Sequence, residues 1–177
     1  MLRTRVGYAG GTSQAPTYHN IGDHTETLQI DFDPSVIPYE KLAEVFFASH
    51  SPARQAWSRQ YAAIGFWHDD AQRKVLEARL PAGARTEIRR YDGFTLAEEY
   101  HQKYYLQQYP ELMREFRAMY PSFADFVAST AAARANGYLG GGGTAEGLQA
   151  DIPLLGLSAT GRDVVLKSAR PRVKCGN

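Results

Sequence analysis

Three features are scarce in this sequence of 177 residues: cysteine, net charge and long apolar runs. The single cysteine, Cys175, excludes an intramolecular disulfide and a metal site built from thiolates, so we expect a reducing compartment, the cytoplasm. A formal net charge of +1 gives no broad attraction to nucleic acid or to an acidic membrane surface. No apolar run approaches the roughly 20 residues that cross a bilayer. We therefore expect neither a nucleic-acid partner nor a membrane partner.

Apart from these shortages, the composition is that of an ordinary globular domain, with 44% hydrophobic and 22% charged residues. The eleven tyrosines are notable, because tyrosine suits pockets that need both an apolar face and a hydroxyl group. Apolar alternation and short apolar runs predict strands at residues 1–7, 27–32, 62–67 and 86–90.

Helices are predicted where apolar residues recur at helical spacing behind a capping residue. The predicted helices are residues 38–49, 69–80, 96–108, 110–120, 122–135, 144–153 and 158–167. The expected N-caps are Asp69 or Asp70 for the second helix, Ser122 for the fifth, Thr144 for the sixth and Ser158 for the last. Thr95 and Glu98 form a capping box for the third helix, and Gly137 ends the fifth. Strands followed by helices predict an α+β fold, a two-layer sandwich in which helices pack on a mixed sheet.

The length suits one domain with an extension. We expect residues 1–108 to form the α+β core and residues 109–167 to add a helical C-terminal extension. The glycine run at residues 140–143 is a flexible break within that extension. Residues 168–177 are predicted to be a disordered tail.

A glycine-rich stretch, residues 4–26, joins the first two predicted strands and places polar side chains near their ends. Tyr18 and Glu26 lie on it, and Gln60 and Tyr61 precede the next predicted strand. Loops on a rigid scaffold often form binding sites, and a half-buried carboxylic acid beside tyrosines could donate a proton near neutral pH. The alternative is a solvated glutamate with two ordinary half-buried tyrosines.

Other kinds of site have weaker support in the sequence. The possible metal ligands are His19, His24, Glu26, His50 and His101. Their spacing matches no established ligand pattern, so we expect these histidines to be structural or at the surface. The glycine segments at residues 10–12 and 140–144 do not fit a phosphate-binding loop. Cys175, next to Lys174, is either a redox-active thiol on a mobile tail or an incidental exposed cysteine.

Several short motifs occur in the same order as in a known family. They are residues 4–12 (TRVGYAGGT), 16–18 (PTY), 22–26 (GDHTE), 32–34 (FDP), 59–61 (RQY), 97–104 (AEEYHQKY) and 136–138 (NGY). By these motifs the chain resembles peptide methionine sulfoxide reductase A, from Met1 to about Gln107 and again at residues 136–138. The resemblance implies an α+β sandwich and a role in protein repair under oxidative stress, by reduction of the S epimer of methionine sulfoxide in peptides or proteins.

The resemblance also implies a mechanism. A cysteine thiolate attacks the sulfoxide sulfur, a glutamic acid protonates the oxygen, tyrosine hydroxyls hold that oxygen, and the oxygen passes to the cysteine as a sulfenic acid forms. By position, Glu26 resembles the acid, and Tyr18 and Tyr61 resemble the oxygen-binding tyrosines. The other implied substrate-binding positions are Tyr8, His24, Gln60, Gly137 and Tyr138. No cofactor is implied, and thioredoxin or a similar thiol reductant resets the enzyme.

The sequence departs from the family pattern at the nucleophile. The catalytic cysteine of the family lies in a GCFWG motif upstream of the segment that corresponds to residues 6–11 (VGYAGG), and Leu139 stands at the place of the resolving cysteine. We expect that Met1 corresponds to an internal valine, whose codon has been read as a start codon. In that case the natural protein contains the missing strand, helix and cysteine. Two alternatives stay open: a catalytically inactive relative that binds sulfoxides or acts as a scaffold, and an enzyme with Cys175 as a relocated nucleophile.

Overall fold

The computed structural model describes residues 2–169, which form two compact units. The first unit is Val6–Glu98, and the second joins Leu2–Arg5 to the chain from Glu99 onward. The strands among the described residues all occur before residue 97, and the chain beyond them is helical, so the predicted α+β class is confirmed. The domain boundaries expected from the sequence stay a prediction.

The strands belong to two small sheets. They are β1 (Arg3–Ala9), β2 (Thr25–Asp31), β3 (Ile64–Trp67), β4 (Glu87–Arg90) and β5 (Phe94–Leu96). The three-stranded sheet has the order β2-β1-β5, and β5 runs antiparallel to β1 with Tyr8 opposite Thr95. Strands β3 and β4 form a parallel pair, with Gly65 opposite Ile88.

Two helices and a short turn complete the first unit. These are α1 (Tyr39–Ala48), a 3-10 turn (Arg59–Tyr61) and α2 (Asp70–Arg79). The predicted start of α2 is confirmed, since the Asp69 carboxylate accepts a hydrogen bond of 2.8 Å from the amide of Gln72. Leu76 of α2 is buried over Gly65 of β3, where an added Cβ would lie 3.2 Å from the leucine side chain. Helix α2, which follows β3 in the chain and precedes β4, therefore packs directly on β3.

Packing in the first unit leaves a large cavity beside β2. Its volume is about 540 Å³, and its walls come mainly from β2, α1 and β3. The apolar side chains that line it include Leu28, Ile30, Leu42, Phe46 and Ile64. Leu28 lies on the apolar side of the predicted strand and was expected to be half-buried, but it is 56% exposed at the wall of this cavity. The predicted alternation of β2 is therefore confirmed, whereas the predicted burial of its apolar side is wrong at Leu28.

The second unit is built of helices. They are α3 (Tyr104–Gln107), α4 (Pro110–Met119), α5 (Phe123–Ala128), α6 (Thr130–Leu139), α7 (Ala145–Asp151) and α8 (Ala159–Ser168). The predicted caps Ser122, Thr144 and Ser158 each accept a hydrogen bond of 3.0 or 3.1 Å from the amide three residues on. Within residues 2–169, every helix is too short or too polar to span a lipid bilayer.

These helices surround one apolar core. The largest completely buried side chains in it are Leu106, Leu112, Phe116, Phe126, Leu155, Leu157 and Val165. Phe116 lies 6.1 Å, ring centre to ring centre, from Phe126 in an edge-to-face arrangement. The dense core makes this unit the better packed of the two.

The capping box predicted for Thr95 and Glu98 is wrong. Thr95 lies in β5 and pairs with β1, and the helix predicted for residues 96–108 is replaced by a 3-10 turn (Glu99–His101) and the short α3. Lys103, with φ +51°, interrupts the helical path between them. Strand pairing with β1 overrides the local capping signal.

The end predicted for the fifth helix is also wrong. Ser129 breaks the segment into α5 and α6, and its hydroxyl caps α6 by accepting from the amide of Ala132 at 3.1 Å. Gly137 lies inside α6, which continues to Leu139 and ends at Gly140. The predicted disorder of the tail falls, from Arg170 on, outside the described residues.

Candidate functional site

Hydrogen bonds to Asp23 stabilise the glycine-rich loop between β1 and β2. Its carboxylate accepts hydrogen bonds of 2.9 Å from the amides of Thr12 and Ser13, and further bonds from both hydroxyls. The bonds from the hydroxyl and amide of Ser13, followed by the amide of Thr12, hold the pKa of Asp23 well below its usual range. The loop is therefore closed on itself by a charged acceptor at neutral pH.

His24 also stabilises this loop through hydrogen bonds of its ring. Its buried ring accepts from the amide of Gly11 at Nδ1 (3.2 Å) and lies 2.9 Å from the Ser13 carbonyl at Nε2. Since a carbonyl can only accept, Nε2 bears the proton. Gly11 fits because an added Cβ would lie 2.5 Å from the Asp23 carboxylate and 2.6 Å from the His24 ring. The substrate-binding role predicted for His24 stays a prediction.

Three of the candidate site residues lie at the start of β2 and on the 3-10 turn. The side-chain amide of Gln60 donates a hydrogen bond of 2.8 Å to the Glu26 carboxylate. Tyr61 follows Gln60 on the turn, and its hydroxyl shares a hydrogen bond with that of Tyr18. That bond first, and then burial and the charges of Tyr18 and Glu26, raise the pKa of Tyr61. The structure thus brings together two phenols, a carboxylate and a carboxamide.

Thr25 fixes the turn to the strand. Its hydroxyl, 1% exposed, lies 3.0 Å from the carbonyl oxygens of both Gln60 and Ala62. The turn that presents Gln60 and Tyr61 is therefore held next to β2, the strand of Glu26. Thr25 lies within the motif at residues 22–26, but nothing in its sequence neighbourhood predicts a partner 35 residues away.

The exposure of the site differs from the expectation of a half-buried carboxylate. Glu26 is exposed, Tyr18 is half-buried, and Tyr61 is 41% exposed. Of the two alternatives for Glu26, the structure therefore agrees with the solvated glutamate and not with the half-buried carboxylic acid. The polar tips open to solvent, where a ligand can reach them.

Glu98 is a residue that the sequence interpretation missed. Its carboxylate accepts from the hydroxyl of Tyr8 at 2.6 Å and from the backbone amide of Tyr18 at 3.0 Å. Tyr8 is 2% exposed, and its hydroxyl donates to the Glu98 carboxylate inside the first unit. Glu98 lies within the motif at residues 97–104, but the one role predicted for it was that of a helix cap in the box with Thr95. The substrate-binding role predicted for Tyr8 stays a prediction.

The remaining candidate residues lie elsewhere. Gly137 and Tyr138 are in the second unit, where the Tyr138 hydroxyl donates to Asp151 at 2.8 Å. Burial, and then that bond, raise the pKa of Tyr138 to about 12. Their predicted substrate-binding roles stay predictions. Cys175 lies outside the described residues.

The chemistry available at the site is that of an oxygen-binding pocket. Paired phenol hydroxyls can donate hydrogen bonds to a polar oxygen, and a carboxylic acid can pass a proton to it. Residues 2–169 contain no cysteine, so this part of the chain holds no thiol nucleophile. Among the same residues, histidine, aspartate and glutamate side chains form no group of three that could hold a metal ion.

Sequence comparison shows relatives of one kind. The family model for peptide methionine sulfoxide reductase matches residues 1–132. The peptide methionine sulfoxide reductase of Drosophila melanogaster is 40% identical over 171 residues, covering 92% of this chain and 68% of the relative. Peptide methionine sulfoxide reductase A5 of Oryza sativa subsp. japonica is 34% identical over 157 residues, covering 78% of this chain. The chain spans only 59% of the length of that relative.

Structural comparison agrees. The crystal structure of Mxr1 from Saccharomyces cerevisiae in reduced form matches with a TM-score of 0.53 and 30% identity, over 61% of this chain and 71% of that one. Methionine sulfoxide reductase A of Corynebacterium diphtheriae matches with a TM-score of 0.50 and 26% identity, over 60% of this chain and 63% of that one. The sequence matches and the structural matches are therefore to methionine sulfoxide reductases in both comparisons.

Proposed function

The chain belongs to the peptide methionine sulfoxide reductase family, and from this premise we propose that it serves the reduction of methionine-S-sulfoxide to methionine. In this proposal the hydroxyls of Tyr18 and Tyr61 hold the sulfoxide oxygen, and Glu26 supplies its proton. The observation that supports it is the joint placement of these three side chains at the start of β2, with Gln60 bonded to Glu26. Protein repair is the process that this activity serves.

Each proposed residue has a distinct task. A sulfoxide oxygen is a strong acceptor, and two phenols that share a hydrogen bond can turn their protons toward it. A phenol is protonated throughout the neutral range, so the Tyr61 hydroxyl can donate there, and the upward shift of its pKa acts in the same direction. Gln60 orients the Glu26 carboxyl group by donating to one of its oxygens. Glu26 can then deliver a proton from its other oxygen as the sulfur–oxygen bond breaks.

The redox balance requires thiols. Attack of a thiolate on the sulfoxide sulfur, with protonation of the oxygen, yields the sulfide and a cysteine sulfenic acid. A second thiol condenses with the sulfenic acid to a disulfide and releases water, and a dithiol reductant of the thioredoxin kind then reduces the disulfide. The attacking thiolate comes from outside residues 2–169. We propose a reducing compartment, the cytoplasm, because such a reductant is available there.

The first experiment is a binding titration of the full chain with N-acetyl-methionine-S-sulfoxide methylamide. We expect the S-sulfoxide to bind at least about tenfold more tightly than the sulfide, which lacks the oxygen acceptor. Tyr18→Phe and Tyr61→Phe should each weaken binding about fivefold, the effect of one lost hydrogen bond. Glu26→Gln keeps a hydrogen-bond donor and should change binding less than about twofold. Tyr104→Phe, at an exposed tyrosine of the second unit, is the matched control and should leave affinity unchanged. Equal affinity for sulfoxide and sulfide would contradict the proposal.

A second experiment separates binding from catalysis. The full chain is incubated with the S-sulfoxide and excess dithiothreitol, and methionine formation is followed by chromatography. Turnover that is lost in Cys175→Ser would identify Cys175 as the thiol nucleophile. Binding without turnover would make the chain a sulfoxide-binding relative that does not reduce its ligand.

A further inference from the structure

Trp57 is an exposed tryptophan next to the candidate site. It is 82% exposed, whereas tryptophan is on average among the most buried residue types. The other tryptophan, Trp67 in β3, is partly buried with the Arg73 guanidinium 5.7 Å from its ring. The exposure of Trp57 is therefore not a general property of tryptophan in this chain.

The exposed indole is stacked on a residue of the site. Its ring centre lies 4.9 Å from that of Tyr61, and the two planes are 28° apart. Stacked aromatic rings at this separation attract each other beyond the area that they bury. One face of the indole is thus fixed against the tyrosine, and most of the rest remains in solvent.

The loop that bears Trp57 is held on both sides. Before it, Arg85 donates its amide to the Pro52 carbonyl at 2.7 Å and its guanidinium to Gln55 at 3.0 Å. After it, the Tyr61 amide donates to the Ser58 carbonyl at 3.3 Å at the start of the 3-10 turn. A side chain on a loop tied at both ends is presented in a defined position, which lowers the entropy lost on binding.

The distances place the indole within reach of a peptide ligand. In the proposed function, the Tyr61 hydroxyl holds the sulfoxide oxygen, so the ligand lies at the end of the ring on which Trp57 is stacked. The Cα of a neighbouring residue in a peptide is about 3.8 Å from the Cα of the methionine sulfoxide. A flanking side chain can therefore cover the free part of the indole while the oxygen is bound. Burying two apolar surfaces together is favourable in proportion to the area removed from water.

We propose that Trp57 is a specificity-determining residue, whose exposed indole packs against an apolar side chain flanking the methionine sulfoxide in a peptide. The inference rests on the proposed function and deepens it, because it names a preference among peptide substrates. Trp57 makes no contact with the sulfoxide oxygen in this arrangement. Trp57 therefore affects only which residues are preferred next to the methionine sulfoxide in a peptide.

The test compares two tripeptides on the full chain by isothermal titration calorimetry. One has leucine on both sides of methionine-S-sulfoxide, and the other has glycine on both sides. We expect the leucine peptide to bind about five- to tenfold more tightly, consistent with burial of part of one leucine side chain. Trp57→Ala should reduce this ratio to about one and leave the affinity for the glycine peptide within about twofold. Trp57→Phe should keep an intermediate ratio.

A control variant and the contradicting outcomes complete the design. Val36→Ala changes another exposed apolar residue of the same unit, 74% exposed, and should leave the ratio unchanged. A leucine preference that persists in Trp57→Ala would overturn the inference and leave the proposed function intact. If the unmodified chain binds neither sulfoxide peptide more tightly than its sulfide counterpart, the proposed function fails and the inference fails with it.

Discussion

The two units of this chain differ most in what their apolar side chains contact. In the second unit, Phe116 and Leu112 are completely buried among other helices. In the first unit, Leu28 and Trp57 are largely in solvent, and a cavity of about 540 Å³ lies beside β2. The candidate site belongs to the less densely packed unit. The comparison separates a unit whose apolar side chains are mostly packed inside it from a unit that leaves several of them exposed.

The difference also extends to hydrogen bonding. The second unit is organised mostly by short-range caps, such as Ser122 and Ser158, which bond to amides three residues on. The site is organised by bonds across long stretches of chain, such as Glu98 to the Tyr18 amide, 80 residues apart. Local bonds are formed as soon as a helix forms, whereas long-range bonds require the strands to be paired first. The site should therefore be more sensitive than the helical core to single polar substitutions.

The largest expected effect concerns the contrast in packing. Phe116→Ala should lower the free energy of unfolding of the second unit by about 3–5 kcal/mol, because it leaves a cavity in a dense core. Leu28→Ala should cost less than about 1 kcal/mol, since that side chain is already in solvent. Urea denaturation followed by circular dichroism measures both. Equal losses would show that the two units are packed alike.

A smaller effect is expected from Lys103, which is buried and donates to the Thr4 carbonyl and hydroxyl at 2.5 and 2.9 Å. Burial, and then the charge of Arg5, lower the pKa of Lys103 to about 8. The unfolded chain keeps the ordinary, higher value, so it binds more protons between the two, and stability rises with pH above 8.

The predicted gain from this lysine is about 2 kcal/mol between pH 7 and pH 9.5. Lys103→Met removes the titrating group, so its free energy of unfolding should be flatter than that of the unmodified chain in this window. Denaturation curves at half-unit pH intervals give the comparison. A parallel rise in both proteins would assign the effect to other groups.

At the site, Glu98 is expected to act as a positioning residue for Tyr18. Glu98→Ala should weaken binding of methionine-S-sulfoxide about fivefold, because the Tyr18 amide loses its acceptor. Tyr8→Phe removes only the neighbouring bond to the same carboxylate and should have a smaller effect. Hydrogen exchange of the Tyr18 amide, followed by NMR, should accelerate in Glu98→Ala. An unchanged exchange rate together with weaker binding would refute the positioning role.

The smallest effect is expected at Asp23, which closes the glycine-rich loop. Its pKa is lowered in the folded chain, so its contribution to loop stability is present above the ordinary pKa and is lost as pH falls below it. Asp23→Asn should accelerate exchange of the Thr12 and Ser13 amides at neutral pH and change sulfoxide affinity less than about twofold. If these amides exchange no faster in the variant, the carboxylate is not what orders the loop.

Much of the fold could be predicted because its signals are local. The caps at Ser122, Thr144 and Ser158 were predicted correctly, and Asp69 is the cap of the two predicted candidates Asp69 and Asp70. Each side chain bonds to an amide only three residues on. The box at Thr95 and Glu98 has the same local pattern but failed, because pairing of β5 with β1 takes those residues into a strand. A cap signal is reliable only where no distant strand competes for the same backbone.

The sequence by itself determined the family and the identities of Tyr18, Glu26, Gln60 and Tyr61 as candidates, because short motifs in a fixed order are a property of the chain. Only the tertiary structure decided that Glu26 is exposed, that Glu98 accepts from Tyr18, and that Trp57 stacks on Tyr61. The physical reason is the range of the interactions. Burial and long-range hydrogen bonds depend on which segments meet in space, and no pattern within a few residues specifies that.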